Sequence, residues 1–194
     1  MSNIDWAHFN DNDSKEGVEG RWSLQDNDHA VFYITGTNHK IDWKRNFQIR
    51  LAEIEDGIKV NQKDLLEAQW VVEYIASRID LSEGSPVKKI TVSGHSRGGA
   101  VAQIVVYKLM TKFPHLNIVG ILLASKRTGN RHFVKAIREK VVAYRHRGDI
   151  VPHVPPYPFY RVPSTIVFGK WTALFWKAHM PKSYSKIYNQ YNLR

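Results

Sequence analysis

The chain contains no cysteine. Disulfides and thiolate metal sites are therefore excluded, while the cellular compartment stays open. No apolar run reaches the roughly 20 residues that a membrane-spanning helix needs. The opening residues, MSNIDWAHFNDNDSKEG, offer neither a basic n-region nor an apolar h-region. A signal peptide is thus not expected, and a cytoplasmic protein is. Low-complexity runs and internal repeats are lacking, which removes repeat architectures. Zinc-finger spacing and an RRM-type aromatic signature are also missing, so nucleic acid is the disfavoured partner for a basic chain. Acidic residues are scarce: 18 Asp and Glu stand against 28 Lys and Arg, for a formal net charge of +10. After Ser96 only two carboxylates remain, Glu139 and Asp149.

What is present reads as one ordered domain. A length of 194 residues with 43% hydrophobic content is enough for a sizeable core. Residues 1–17 are polar and read as a frayed segment ahead of a domain over 18–194. The basic excess has a bland reading, a solvated surface. It also has a functional one, attraction to an anionic membrane surface.

Strand and helix signals alternate along the chain. Gly20–Gln25 and Ala30–Thr35 read as two strands joined by the turn-rich Asp26-Asn27-Asp28. VFYIT suits a buried central strand, and NHKIDWKRNFQI reads as a short helix or a flap. Asp64–Ile79 has an amphipathic pattern, with Asp64 as cap and Glu67 three residues on, as in a capping box. Lys88–Gly94 and Asn117–Ala124 are apolar strands, and Arg97–Phe113 between them is a helix apolar on most sides. His132–Lys140 reads as helix and Val141–Arg147 as strand. The Pro-rich Val151–Pro156 that follows excludes both helix and central strand. Ser164–Phe168 and Lys182–Tyr191 read as a last strand and a last helix. The pattern predicts an α/β domain with a mostly parallel sheet covered on both faces.

The chemistry centres on Gly94-His95-Ser96-Arg97-Gly98, a G-x-S-x-G sequence set between a strand and a helix. That context is what a nucleophile elbow requires, because the serine must stand on a strained turn clear of the sheet. A serine nucleophile needs a base, and the base needs an orienting carboxylate. With acid following serine in the chain, the choice is Glu139 or Asp149. Glu139 falls on a Lys-rich helical turn, where a solvated charge is the plain reading. Asp149 falls past the strand VVAYRHR, at the edge where α/β sites form; its bland reading is a loop aspartate paired with Arg145 or Arg147. Two histidines follow it. His153 lies only four residues on, too near to face Asp149 across the nucleophile, so His179 is the candidate base. Read alone, His179 is a loop histidine like many surface ones. The oxyanion donors expected are the backbone amides of Arg97 and of Thr37, in the Gly36-Thr37 turn.

Together these residues resemble the class 3 lipases, a branch of the α/β-hydrolases, over residues of about 20 to 185. VFYITGT with Asp42-Trp43 and Asn46-Phe47 is similar to the family's strand, oxyanion loop and D-W-x-x-N segment. SGHSRGGAVAQ resembles its elbow, ASKRTGNRHF its S-P-R-V-G-N-x-x-F segment, GDIVPHVPP its acid loop, and His179 with Tyr184 its base loop. The resemblance implies an α/β-hydrolase fold, here in a compact version, because the segment between Thr37 and the helix at Asp64 leaves room for only a short lid. It implies hydrolysis of glycerolipid carboxylic esters, with no metal or organic cofactor. Three positions depart from the family pattern. Thr35 stands in place of Arg, removing one ion pair; Arg97 replaces Leu beside the nucleophile; Lys126 replaces Pro. A charged Arg97 at the mouth would favour anionic or zwitterionic head groups. Trp43 and Phe47 are lid or substrate-contact candidates. Trp171 and Phe175, in FGKWTALFW, read either as cover for the sheet edge or as an interfacial patch. The competing functions are a short-chain carboxylesterase and a non-catalytic lipid- or nucleic-acid-binding relative.

Overall fold

A computed structural model describes residues 6–10, 17–36 and 49–193. In chain order the strands and helices begin with β1 (Ala7–Asn10), β2 (Glu19–Gln25), β3 (His29–Ile34), β4 (Leu51–Glu55), β5 (Ile58–Asn61) and α1 (Gln62–Arg78). Then come β6 (Lys89–His95), α2 (Arg97–Lys112), β7 (Asn117–Leu123), α3 (Arg131–Ile137), β8 (Val141–His146), β9 (Thr165–Phe168), α4 (Phe175–His179) and α5 (Ser185–Gln190).

Among the described residues seven strands form one sheet, in the order β1-β2-β3-β6-β7-β8-β9. Pairing is parallel from β3 through β9, and β1 and β2 add an antiparallel edge. Both faces of the central strands are covered, which is why β3 and β7 read as continuous apolar runs. On one face Phe32, Ile90, Val92, Ile118 and Leu122 pack with α1, α2 and α3. On the other, Val31, Tyr33, Leu123 and Tyr144 pack with Tyr184, Ile187 and Tyr188 near the C-terminus.

Several local expectations are corrected. The segment expected to be frayed contributes β1, whose Phe9 is buried against Trp70 and Tyr74. Helix α1 is capped by Asn61, not Asp64: the Asn61 side chain accepts from the amides of Lys63 and Asp64 at 3.1 and 3.2 Å. Asn caps as well as Asp does, and Asp64 is held elsewhere. The stretch between Thr37 and α1, expected to be a short lid, contains the β4–β5 hairpin, while residues 37–48 lie outside the described residues. The hairpin is tied to the loop after β7, where the Asn61 amide donates to Thr128 O at 2.7 Å. The Pro-rich stretch makes one 3-10 turn at Val151–His153, which a proline in a first helical turn allows. The last helix is broken into a 3-10 turn, Pro181–Tyr184, and α5. Thr35, in place of an arginine, donates its hydroxyl to Glu19 O at 2.9 Å.

Candidate active site

Strand β6 ends at His95 and runs into Ser96, whose φ of 56° and ψ of −119° lie in a region that L-residues rarely adopt. The turn is possible because its neighbours are glycines. A Cβ on Gly94 would stand 2.3 Å from Gly98 O, and one on Gly98 would stand 2.3 Å from Ile34 O. Helix α2 leaves directly from the serine, so its first amides are free to donate.

Ser96 Oγ lies 2.9 Å from His179 Nε2. On the other side of the ring, His179 Nδ1 lies 3.1 and 3.0 Å from the two Asp149 carboxylate oxygens. An ionised carboxylate only accepts, so Nδ1 carries the proton and Nε2 is left to accept from the serine. The structure therefore brings together three side chains separated by 53 and 30 positions, from the turn after β6, the loop after β8, and the end of α4.

Asp149 is buried and fully engaged. Its Oδ1 accepts from the Val151 amide at 2.9 Å and its Oδ2 from the Tyr184 hydroxyl at 2.7 Å. Tyr184 in turn accepts from the His146 amide at 2.9 Å. Burial, then the Asp149 charge, raises the Tyr184 pKa and keeps the phenol protonated. His95 is pushed down to about 3, first by burial and then by His179. It is a neutral ring whose Nε2–H donates to the His179 carbonyl at 2.9 Å. Sequence reasoning missed both supports. Tyr184 and His95 were each visible as part of a motif, Tyr184 without its contact to the acid and His95 without its bond to the His179 carbonyl.

Gly36 sits against the nucleophile: a Cβ there would approach Ser96 Cβ to 3.3 Å. Thr37, Trp43 and Phe47 lie outside the described residues. The Arg97 amide opens α2, as expected, but its side chain is not at the mouth. It pairs with Glu67 at 3.1 Å and is largely buried. The expectation of a head-group preference from Arg97 is thereby corrected, because the side chain turns inward to Glu67. Glu67 is pushed up to about 7 by burial, with Arg97 pulling the other way. Asp64, beside it on α1, holds Lys126 Nζ at 2.8 Å to each oxygen and accepts from the Thr128 hydroxyl at 2.5 Å.

The set-aside candidates lie elsewhere. Glu139 is exposed against Arg138, and His153 accepts from Arg145 at 2.9 Å. Trp171 and Phe175 are not core: they are 72% and 41% exposed, and Trp176 is 53% exposed. Among the described residues no three His, Asp or Glu side chains converge as a metal-holding set. No described helix is long and apolar enough to cross a membrane.

The family described as Lipase (class 3) matches residues 31–159. The chain is 32% identical to a lipase of Rhizopus niveus over 110 residues, covering 53% of this chain and 28% of that protein. It is 30% identical over 156 residues to a secreted mono- and diacylglycerol lipase of Fusarium solani, covering 75% of this chain and 45% of the relative. The solved structure of lipase II from Rhizopus niveus superposes with a TM-score of 0.69 at 25% identity, covering 80% of this chain and 62% of that one. The chain thus spans less than half the length of these two curated relatives. A family match over most of the sequence, a mostly parallel sheet of the α/β-hydrolase type and a strained serine elbow agree, and the chain belongs to the class 3 lipase family.

Proposed function

We propose that this chain is a serine lipase that hydrolyses carboxylic esters of glycerolipids through an acyl-enzyme. The observation that carries the reading is the unbroken relay from Ser96 Oγ through the His179 ring to a buried Asp149. Ser96 attacks the ester carbonyl as His179 Nε2 takes its proton, and Asp149 holds the imidazolium. The Arg97 amide, with that of Thr37, stabilises the tetrahedral oxyanion. The imidazolium then protonates the departing alcohol, and a water deprotonated by the same nitrogen releases the fatty acid. Ser96→Ala should lower p-nitrophenyl ester turnover by about 10⁴-fold or more and abolish labelling by a fluorophosphonate. Unchanged turnover would remove the nucleophile. A chain-length series separates a lipase from a short-chain carboxylesterase.

The reading includes peripheral contact with an anionic lipid surface. Ten of the thirteen exposed large apolar side chains among the described residues lie between 150 and 180. Trp171, Leu174, Phe175 and Trp176 form a run flanked by Lys170 and Lys177, a composition suited to the head-group boundary. Phe175 and His179 share α4, so a surface that takes up the aromatic end also brings ester bonds toward the base. Liposome flotation with and without anionic lipid tests it; failure to float with either counts against the patch.

A further inference from the structure

Residues 97–194 carry 17 Lys and Arg against two carboxylates. Both acids are committed, Asp149 to His179 and Glu139 to Arg138. Cationic groups in this half that gather in one place therefore have little to neutralise them. They gather at a cleft near the carboxyl ends of β7 and β8, lined by Arg127, Arg145 and Arg161 with Gln103, Ser125 and Tyr160; Lys126 also lines it, its ammonium held by Asp64. None of the three guanidinium groups has a carboxylate within 4 Å among the described residues.

Their existing partners are weak or neutral. Arg127 donates to Phe159 O at 3.4 Å, and Arg145 donates to His153 Nε2 at 2.9 Å. A ring nitrogen that accepts is unprotonated, so His153 adds no charge. The Nε–H groups of Arg127 and Arg145 are buried with no hydrogen-bond partner among the described residues, and so is the Oε1 acceptor of Gln103. Unmet buried donors of this kind are costly, and three cations sharing one cleft repel each other. The mutual repulsion shows in Arg127 and Arg145, whose pKa values are lowered by burial and then by Arg161.

We propose that Arg127, Arg145 and Arg161 form a binding site for a phosphate-type dianion, supplied as inorganic phosphate or as the phosphomonoester of a lipid head group. A carboxylate is satisfied by one bidentate guanidinium, whereas three planar forks match the several oxygens of a phosphate. A dianion neutralises most of the cluster's charge; the hydroxyl of hydrogen phosphate also donates to Gln103 Oε1, a bond that a fully ionised phosphomonoester does not make. The site is built from residues outside the triad and binds whether or not Ser96 is a nucleophile.

The test is titration of the full chain with inorganic phosphate against chloride at matched ionic strength, followed by calorimetry and thermal unfolding. Saturable binding is expected, with Tm rising by about 3–6 °C at ten times Kd. Arg161→Gln, at an exposed position, and Arg145→Gln should each weaken binding about tenfold. Ser96→Ala should bind phosphate as the parent does, which separates this site from the fate of the triad. No saturable response beyond chloride, or an undiminished response in both arginine variants, overturns the proposal. Vesicles identify the source. Preference for phosphatidic acid over phosphatidylserine, lost in Arg161→Gln, marks a lipid phosphate; no preference, with inorganic phosphate still bound, marks the free ion.

Discussion

Two buried acidic sites flank the nucleophile, and they differ in what stands opposite the acid. On one side Asp149 faces His179, and the ring's far nitrogen touches Ser96. On the other, Asp64 and Glu67 face Lys126 and Arg97, and the charges stop there. The ingredients are alike: a carboxylate out of water, satisfied by hydrogen bonds. The imidazole can give up its proton near neutral pH and passes a charge on; ammonium and guanidinium groups hold theirs and fix a position. One arrangement is suited to moving a proton. The other pins helix α1 to the elbow and to the loop after β7, since Arg97 follows the serine and Lys126 lies three residues beyond β7.

The widest separation between the two comes from the same isosteric change made in each. Asp149→Asn keeps the shape but presents the wrong hydrogen-bonding group to Nδ1, and kcat should fall by about 10⁴. Asp64→Asn strands the Lys126 ammonium in the interior and should cost about 3–5 kcal/mol of stability. At temperatures where the Asp64 variant stays folded, its ester turnover should stay within a few-fold of the parent. Urea melts and p-nitrophenyl ester kinetics on both proteins check this. Equal losses of rate in the two would erase the distinction.

Glu67 gives a smaller effect with a definite sign. Its carboxyl moves from 4.5 to about 7 on folding because burial disfavours its charge. Between those values the folded chain binds the proton more tightly than the unfolded chain does. Stability from this group is therefore full below the lower value and is lost as pH rises through the upper one, by about 3 kcal/mol. Glu67→Gln cannot titrate, so its stability should fall less between pH 5 and pH 8 than the parent's. Denaturation midpoints at the two pH values measure the difference. Parallel behaviour of the two proteins would mean that Glu67 does not change its protonation between these pH values.

The Ser96–Asp149 side of this comparison was legible in the sequence and the Asp64–Glu67 side was not, for a physical reason. Gly94 and Gly98 are dictated by backbone contacts that admit no Cβ, so the elbow is written into five consecutive residues. Asp149 was reachable by elimination, because so few acids follow Ser96. Asp64 and Glu67 have the spacing of a capping box, and the same residue types serve a cap or a buried ion pair equally well. What decides is Lys126, 62 positions along the chain, and Asn61, which takes the cap. The side chains of Arg97 and Lys126 were legible as departures from a family pattern, without their partners; the structure shows that one turn of α1 supplies an acid to each. The β4–β5 hairpin did have a local signal, Asp56-Gly57 with Gly57 at φ +70°, of the type that marks tight hairpins. The exposure of Trp171 and Phe175 had none, since an apolar run near a sheet edge reads alike whether covered or bare.

Tyr184 gives the smallest expected effect and the finest probe, because it straddles both roles. Its hydroxyl donates to the acid and accepts from the His146 amide, so it orients a reacting group while closing a gap in the backbone. Tyr184→Phe keeps the ring packed between His95 and Phe168 and removes only the oxygen. The lost bonds should cost about 1–3 kcal/mol in stability. If the hydroxyl also steadies Asp149 for proton transfer, kcat should fall by about tenfold with KM unchanged, since the ester touches neither group. A stability loss with kcat intact would assign Tyr184 to the scaffold alone and leave Val151 and His179 as the bonds that hold Asp149 for the reaction. A fall in kcat with the melt unchanged would place the tyrosine wholly on the proton-moving side of the elbow.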